Sequence, residues 1–145
     1  KKMNFYEEVA HDCMFAKLRH VSRHVTTVYA KELKNVGLTP VQSSMMTAIK
    51  LLESANINTL SDALNMDRTT INRNLKPLIR DEIVYMGEGE DKREKTVSLS
   101  NKGEDIYNRG YENWKIAQAK LREQIGKDTW VKMSSVLDEV IQKIH

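Results

Sequence analysis

The sequence predicts a mainly helical fold of the α+β winged-helix type, in which long N- and C-terminal helices flank a small lobe. Three observations support this prediction. The chain has 145 residues, the size of one domain. Apolar residues recur at steps of three and four over most of its length, as on one face of a helix. Residues 83–87 and 95–99 instead have the pattern of short strands on either side of a polar tip, with Val97 and Leu99 alternating with Thr96 and Ser98, as in a β-hairpin.

Composition excludes several classes of protein. The formal net charge is +3, and the whole positive excess lies in the first 58 residues, so charge alone does not indicate nucleic acid. The single cysteine cannot form an internal disulfide, and no apolar run is long enough to span a membrane. Because the chain starts without a signal-peptide pattern, we expect a cytoplasmic protein with no membrane partner.

One long helix is predicted for residues 8–35. Its apolar face runs from Met14 to Leu33 at helical spacing, and Gly37 follows its end. Thr39 then caps a second helix, because its hydroxyl can accept a hydrogen bond from one of the first free amides.

Two shorter helices come next. Thr59 and Asp62 resemble a capping box, which predicts a helix of about two turns that starts at Thr59. Asp67 can accept hydrogen bonds from the first amides of the following helix. Pro77 lies late in that helix and removes one backbone hydrogen bond, so we expect a kink or an early end there.

A hairpin and two long helices complete the chain. The strands are predicted at 83–87 and 95–99, on either side of a polar tip. Ser100 caps the next helix, which ends at Gly126. In the last helix the spacing of three, four, three and four indicates a coiled-coil-like seam made of Trp130, Met133, Leu137, Val140 and Ile144.

These elements divide a single domain, residues 1–145, into a winged helix-turn-helix lobe at 38–99 and helical regions at 8–36 and 100–145. In such lobes the second helix of the motif enters the major groove of DNA and the hairpin reaches along the backbone. The outer face of that helix carries side chains of the types that bind phosphates and base edges: Arg68, Thr69, Thr70, Asn72, Arg73 and Lys76.

The hairpin tip carries a second candidate contact with DNA. Asp91 lies two residues before Arg93, and a charge-assisted hydrogen bond between them would hold the guanidinium extended between phosphates. The alternative interpretations are an ordinary exposed ion pair at the tip and a solvated outer face on the helix.

Four sequence motifs occur in the same order as in a known family, which makes the resemblance to that family specific. They are Leu38-Thr39-Pro40-x-Gln42, Thr59-Leu60-Ser61-x-Ala63-Leu64, Asp67-Arg68-Thr69-Thr70-Ile71-x-Arg73 and Asp91-x-Arg93-x-x-x-Val97-x-Leu99. With these motifs the chain resembles the MarR family of bacterial transcription regulators, and the match extends upstream and downstream over nearly the whole chain.

The resemblance implies a sequence-specific regulator of transcription, a repressor, that binds double-stranded DNA. It implies a homodimer held by the regions 8–36 and 100–145, with two lobes on half-sites of a pseudopalindromic operator. Apolar stripes outside the lobe exceed what one small lobe could cover, which also favours a partner. A small anionic or phenolic effector is expected between the lobe and the dimerisation helices, with four candidate residues: Arg19, His20, Arg23 and Met45.

Two alternative functions stay open. Cys13 lies in the region where the family's peroxide sensors carry a reactive thiol, although its register differs, so one alternative is a redox-sensing regulator. The other is a helical adaptor that binds protein and no longer binds DNA. We expect no cofactor, no metal site and no enzyme activity, because His20 and His24 supply only two metal ligands and no catalytic motif is present.

Overall fold

The structure is a computed structural model that describes residues 1–89 and 94–144. The fold class is confirmed, since the chain is mainly helical with one small antiparallel sheet. In the described ranges the helices and strands are α1 (Phe5–Asp12), α2 (Met14–Leu33), a 3₁₀ turn (Lys34–Val36), α3 (Pro40–Leu51), α4 (Ile57–Leu64), α5 (Arg68–Arg80), β1 (Val84–Glu88), β2 (Lys95–Leu99), α6 (Asn101–Ile125) and α7 (Lys127–Lys143). None of the helices so described is long and apolar enough to cross a membrane.

The N-terminal region forms two helices where one was predicted. Asn4 caps α1 by accepting a hydrogen bond from the Glu7 amide at 2.9 Å, and the Glu7 carboxylate accepts one from the Asn4 amide. At Cys13 the backbone is extended, so α1 ends before this residue and α2 starts after it. The predicted single helix over 8–35 is therefore wrong. The end of α2 is as expected, because Gly37 has a left-handed φ of +76° after the 3₁₀ turn.

Caps fix the starts of the helices in the lobe. Thr39 caps α3 as predicted. The helix α4 starts earlier than predicted, because Asn56 accepts a hydrogen bond from the Thr59 amide at 2.9 Å and Thr59 accepts one from the Asn56 amide. Asn is the stronger N-cap residue, so the capping box lies three residues upstream of the predicted one. The helix α5 continues past Pro77 to Arg80, so of the predicted kink or early end the early end is wrong, while the kink stays a prediction.

The two strands complete the lobe. They pair antiparallel, with Val84 opposite Leu99 and Glu88 opposite Lys95. The amide of Val97 also donates a hydrogen bond of 2.7 Å to the carbonyl of Ala55, which holds the start of the α4 segment against β2. Below the strands the helices of the lobe share one core, whose members include Leu33, Leu38, Met45, Met46, Ile49, Leu60, Ile71, Leu75, Leu78, Val84 and Val97.

The first turn of α6 is held against the lobe. Ser100 caps α6 by accepting a hydrogen bond from the Gly103 amide at 3.0 Å. Its own hydroxyl lies 2.6 Å from the Glu82 carbonyl oxygen and 3.0 Å from the Ile83 carbonyl oxygen. A β-carbon on Gly103 would lie 2.1 Å from that same carbonyl oxygen. Only glycine allows so close an approach, so the lobe and α6 meet through backbone.

Polar bonds join α2 to α6 outside the lobe. Glu32 is nearly buried and forms an ion pair with Lys120, and the amide of the Asn113 side chain donates to the Glu32 carbonyl at 3.0 Å. Farther from the lobe, His24 Nε2 lies 2.7 Å from Gln124 Oε1. These contacts make α2 and α6 a two-helix stalk on which the lobe is mounted.

The outermost helices bury little. Neither α1 nor α7 has a buried residue, and α7 packs mainly on the end of α6. Large apolar side chains of both helices and of the first half of α2 are exposed, including Phe5, Tyr6, Val9, Phe15, Leu18, Val131, Val136, Leu137, Val140 and Ile141.

Candidate nucleic-acid interface

The orientation of α5 follows from its cap and its buried face. The Asp67 carboxylate accepts a hydrogen bond of 2.7 Å from the Thr70 amide, and that bond, with a second from Thr70, lowers the pKa of Asp67 below its ordinary value. On the inner face Ile71, Leu75 and Leu78 are fully buried in the core of the lobe. Because one side of α5 is fixed inward in this way, the opposite side must face solvent.

Five of the six α5 residues predicted to bind DNA lie exposed: Arg68, Thr69, Asn72, Arg73 and Lys76. The sixth, Thr70, is half-buried. Its amide is used by Asp67, and its carbonyl accepts a hydrogen bond of 2.9 Å from the Asn74 side chain. The structure thus places most of the predicted set on one helix surface, while Thr70 takes part in the start of the helix.

A groove runs between α5 and the sheet. Asn72, Arg73 and Lys76 lie along one wall, and Lys95 at the start of β2 lies on the other. Sequence reasoning missed Lys95 as a site residue. The sequence contained a signal for this residue, since a lysine that begins the second strand of a hairpin must lie near the hairpin tip.

The cations of this surface differ in whether they form ion pairs. In the described ranges, Arg68, Arg73, Lys76 and Lys95 form no ion pair. Arg80, at the end of α5, differs because its Nε lies 3.0 Å from the Asp81 carboxylate. That hydrogen-bonded pair raises the pKa of Arg80 and lowers the pKa of Asp81, so this guanidinium is already partnered.

The predicted contact at the hairpin tip cannot be placed. Asp91 and Arg93 lie outside the described residues. The described part of the hairpin ends at Gly89 and resumes at Glu94, whose carbonyl accepts a hydrogen bond of 2.8 Å from the Gly89 amide. The contribution of the tip to the surface therefore stays a prediction.

Comparison with solved structures decides the fold. The operator complex of a mutant MarR from E. coli matches with a TM-score of 0.84 and 17% identity, over 95% of this chain and 99% of that one. The repressor CouR, bound to a 23-mer DNA duplex, matches with a TM-score of 0.83 and 18% identity, over 97% and 99%. The chain has the fold of the MarR-family regulators.

A third MarR-type structure is more similar in sequence. The transcriptional regulator MosR from M. tuberculosis matches at 25% identity with a TM-score of 0.78, over 92% of this chain and 96% of that one. The sequence itself matches no protein-family model and no curated protein. The resemblance found in the four motifs is confirmed at the level of the fold.

A cavity of about 380 Å³ lies where the MarR-type lobe meets the stalk. Rings and hydroxyls line it, and none of its lining side chains is charged. The Tyr107 and Thr47 hydroxyls lie 2.8 Å apart at its wall, and the Tyr111 and Trp114 rings are stacked with centroids 5.8 Å apart. The full lining is Tyr29, Leu33, Leu38, Pro40, Ser43, Ser44, Thr47, Tyr107, Gly110, Tyr111 and Trp114.

The four residues predicted for an effector pocket do not line this cavity. Arg19, His20 and Arg23 are exposed on the first half of α2, whereas the cavity is lined by the second half of that helix. Met45 is fully buried in the core of the lobe. The sequence signal that would have found the cavity is a stripe of aromatic residues on α6 at positions 107, 111 and 114, which share one face of the helix.

The remaining candidates are placed as follows. Cys13 is a half-buried free thiol at the break between α1 and α2. His24 is bonded to Gln124, and His20 is exposed one turn away. Among the residues that the structure describes, no group of three or more metal-ligating side chains lies together.

Proposed function

We propose that the chain is a sequence-specific, double-stranded-DNA-binding regulator of transcription that acts as a homodimer. The observation that carries this proposal is the outer face of α5, where exposed basic and polar side chains stand opposite a fully buried face. Arginine and asparagine side chains so presented can hydrogen-bond to base edges in the major groove. Solved structures of the same fold that contain DNA support it.

In this proposal the lobe at 38–99 binds DNA and the regions 8–36 and 100–145 form the dimer. The exposed apolar residues on α1, on the start of α2 and on α7 support the second part, because a chain that folded alone would leave them in water. A symmetric partner would bury the same surface on both copies. In this proposal the regulator is cytoplasmic. The dimer represses transcription when it is bound to its operator.

The Arg73→Ala variant tests the reading role of α5. Loss of a base-contacting guanidinium is expected to weaken binding to the preferred duplex by about 1–3 kcal/mol and to relax the preference at particular base pairs. The measurement is fluorescence anisotropy with a duplex selected by the parent protein from a random pool, followed by the same selection with the variant.

Arg109→Ala is the matched control for that experiment. Arg109 is exposed on α6 and already paired with Asp105 at 3.1 Å, and its removal changes the net charge equally. We expect the control to bind like the parent. If both variants bound the selected duplex with the parent's affinity and preference, α5 would not be the reading element.

We infer further that a small phenol bound in the cavity modulates DNA binding. The cavity offers hydroxyl partners and aromatic walls and no charge, so it suits an uncharged phenol better than a carboxylate. The cavity lies between the lobe and the stalk of each chain. A ligand that fits only one arrangement of lobe and stalk would favour that arrangement in both chains, and so would fix the distance between the two lobes of the dimer.

The Gly110→Leu variant tests this cavity. Gly110 lines it, and the nearest atom to a β-carbon there is 3.4 Å away on Val36, so a larger side chain would extend into the space. In the parent, 4-ethylphenol is expected to change the affinity for the selected duplex. The variant should bind the duplex normally and no longer respond. An unchanged response would place the phenol elsewhere.

A further inference from the structure

The last turn of α5 is not anchored by its own side chains. The buried face of the helix packs into the core of the lobe as far as Leu78, whereas the side chains from Ile79 to Glu82 are all exposed. The next buried side chain along the chain is that of Ile83. The direction of this end of the helix therefore depends on contacts of the backbone.

The turn that ends α5 has a conformation that its sequence does not favour. Glu82 has a φ of +59°, in the left-handed region that glycine adopts readily and other residues rarely do. Two hydrogen bonds close the turn, from the Glu82 amide to the Ile79 carbonyl at 3.0 Å and from the Ile83 amide to the Leu78 carbonyl at 2.9 Å. Because a glutamate lies where such turns usually have glycine, the turn gains stability from bonds to a neighbouring element.

The first turn of α6 supplies those bonds to three consecutive carbonyls. Lys102 Nζ donates a hydrogen bond of 2.8 Å to the Asp81 carbonyl, and a cation at the carbonyl end of a helix also complements its dipole. The Ser100 hydroxyl lies 2.6 Å from the Glu82 carbonyl oxygen, and the Ser100 amide donates to the Ile83 carbonyl at 3.0 Å. Ser100 also caps α6, so Lys102 is the contact that can be removed without losing that cap.

The helix α6 connects this turn to the stalk. It is one helix of 25 residues, which corresponds to a length of about 37 Å. Farther along it, Lys120 pairs with Glu32 of α2, and Gln124 lies 2.7 Å from His24. The end of the proposed reading helix is thus bonded directly to the helix that, in the proposed function, also takes part in the dimer.

We propose that Lys102 is a positioning residue for DNA reading. By holding the end of α5 on the first turn of α6, it fixes the direction of the reading helix relative to the stalk, and so the spacing of half-sites that the dimer accepts. Lys102 acts through the Asp81 carbonyl and does not itself contact DNA. This role rests on the proposed function, since it requires α5 to read DNA and two chains to pair.

The contact is tested first without DNA, by amide hydrogen exchange. Lys102→Met removes the donor and keeps a side chain of similar length, whereas Lys102→Arg keeps a cationic donor. We expect the amides of Glu82 and Ile83 to exchange about fivefold faster in Lys102→Met than in the parent, and at the parent's rate in Lys102→Arg. Equal exchange in all three proteins would overturn the proposal, because Lys102 would not hold this turn.

The effect on reading is tested with a duplex that the parent protein selects. One base pair is added or removed between the half-sites, which turns one half-site by about 35° relative to the other. The ratio of the Kd for the altered duplex to that for the selected duplex should fall about threefold in Lys102→Met, because α5 then samples more directions. A role in stability alone would weaken binding to every duplex by the same factor and leave this ratio unchanged.

Lys115→Met is the matched control. Lys115 is exposed on the same helix, about 20 Å along the axis from Lys102, and pairs with Glu112 at 3.0 Å. We expect this control and Lys102→Arg to keep the parent's ratio. If Lys102→Met kept it as well, the proposal would be wrong. A parent protein that bound no duplex would instead contradict the proposed function, whereas faster exchange in Lys102→Met would still show that Lys102 holds the end of α5.

Discussion

Asp67 shows how one side chain sets the start of the proposed reading helix. Its carboxylate holds the first turn of α5 through the Thr70 amide, and the same bond lowers its pKa. A group whose pKa is lower in the folded than in the unfolded protein stabilises the fold at pH values above its unfolded pKa. That stabilisation is lost as the pH falls through the folded pKa.

The Asp67→Asn variant tests this effect. Asparagine is an equally good N-cap residue but does not titrate, so the variant should fold normally at pH 7. As the pH falls below about 4, the parent should lose thermal stability more steeply than the variant, because only the parent has this carboxyl to protonate. The measurement is the thermal midpoint by circular dichroism between pH 6 and pH 3. Parallel curves for the two proteins would contradict the role of Asp67.

Individual residues also mark the limits of sequence-based prediction. Exposure of Arg68, Arg73 and Lys76 could be predicted, because the helical period places them opposite a buried face. Lys95 joins them only because β2 folds back beside α5, a contact between residues far apart in the chain. The aromatic stripe at positions 107, 111 and 114 marks one wall of the cavity in the sequence, but the opposite wall depends on where α6 passes α3.

At the scale of helices and strands, the close approach of α6 to the end of the lobe is the most demanding contact. Gly103 lies against the Ile83 carbonyl, which already accepts a hydrogen bond of 3.0 Å from the Ser100 amide. The carbonyl cannot move away without breaking that bond. An added methyl group must therefore push α6 off the lobe.

The Gly103→Ala variant should be destabilised by about 2 kcal/mol, despite the better helix propensity of alanine. Gly110→Ala is the matched control on the same helix, since its β-carbon would make only ordinary contacts at 3.4 Å or more. We expect the control to be neutral or slightly stabilised. Urea unfolding of both variants measures the difference, and equal stability would contradict the close contact at Gly103.

The start of a helix was predicted correctly where only one residue could act as its N-cap, and incorrectly where two residues could. Thr39, Asp67 and Ser100 each cap as predicted. At α4 both Asn56 and Thr59 had the right chemistry, and the upstream residue prevailed. No glycine or proline lies next to the break at Cys13, so the apolar periodicity predicted one helix where the structure has α1 and α2.

At the scale of the whole molecule, the proposal requires two lobes held at a fixed distance. The chain supplies a lobe, a stalk and a large unpaired apolar surface on α1 and α7. Two lobes related by a twofold axis would read half-sites about one turn of duplex apart, or about 34 Å. The simultaneous binding of two half-sites by two lobes is the central claim.

Half-site spacing tests that claim most directly. A duplex selected by the protein is compared with one in which five base pairs are inserted between the half-sites, which turns the second half-site to the opposite side of the helix. A rigid dimer should bind the altered duplex no more tightly than a duplex that carries a single half-site. Equal affinity for the original and the altered duplex would contradict the account.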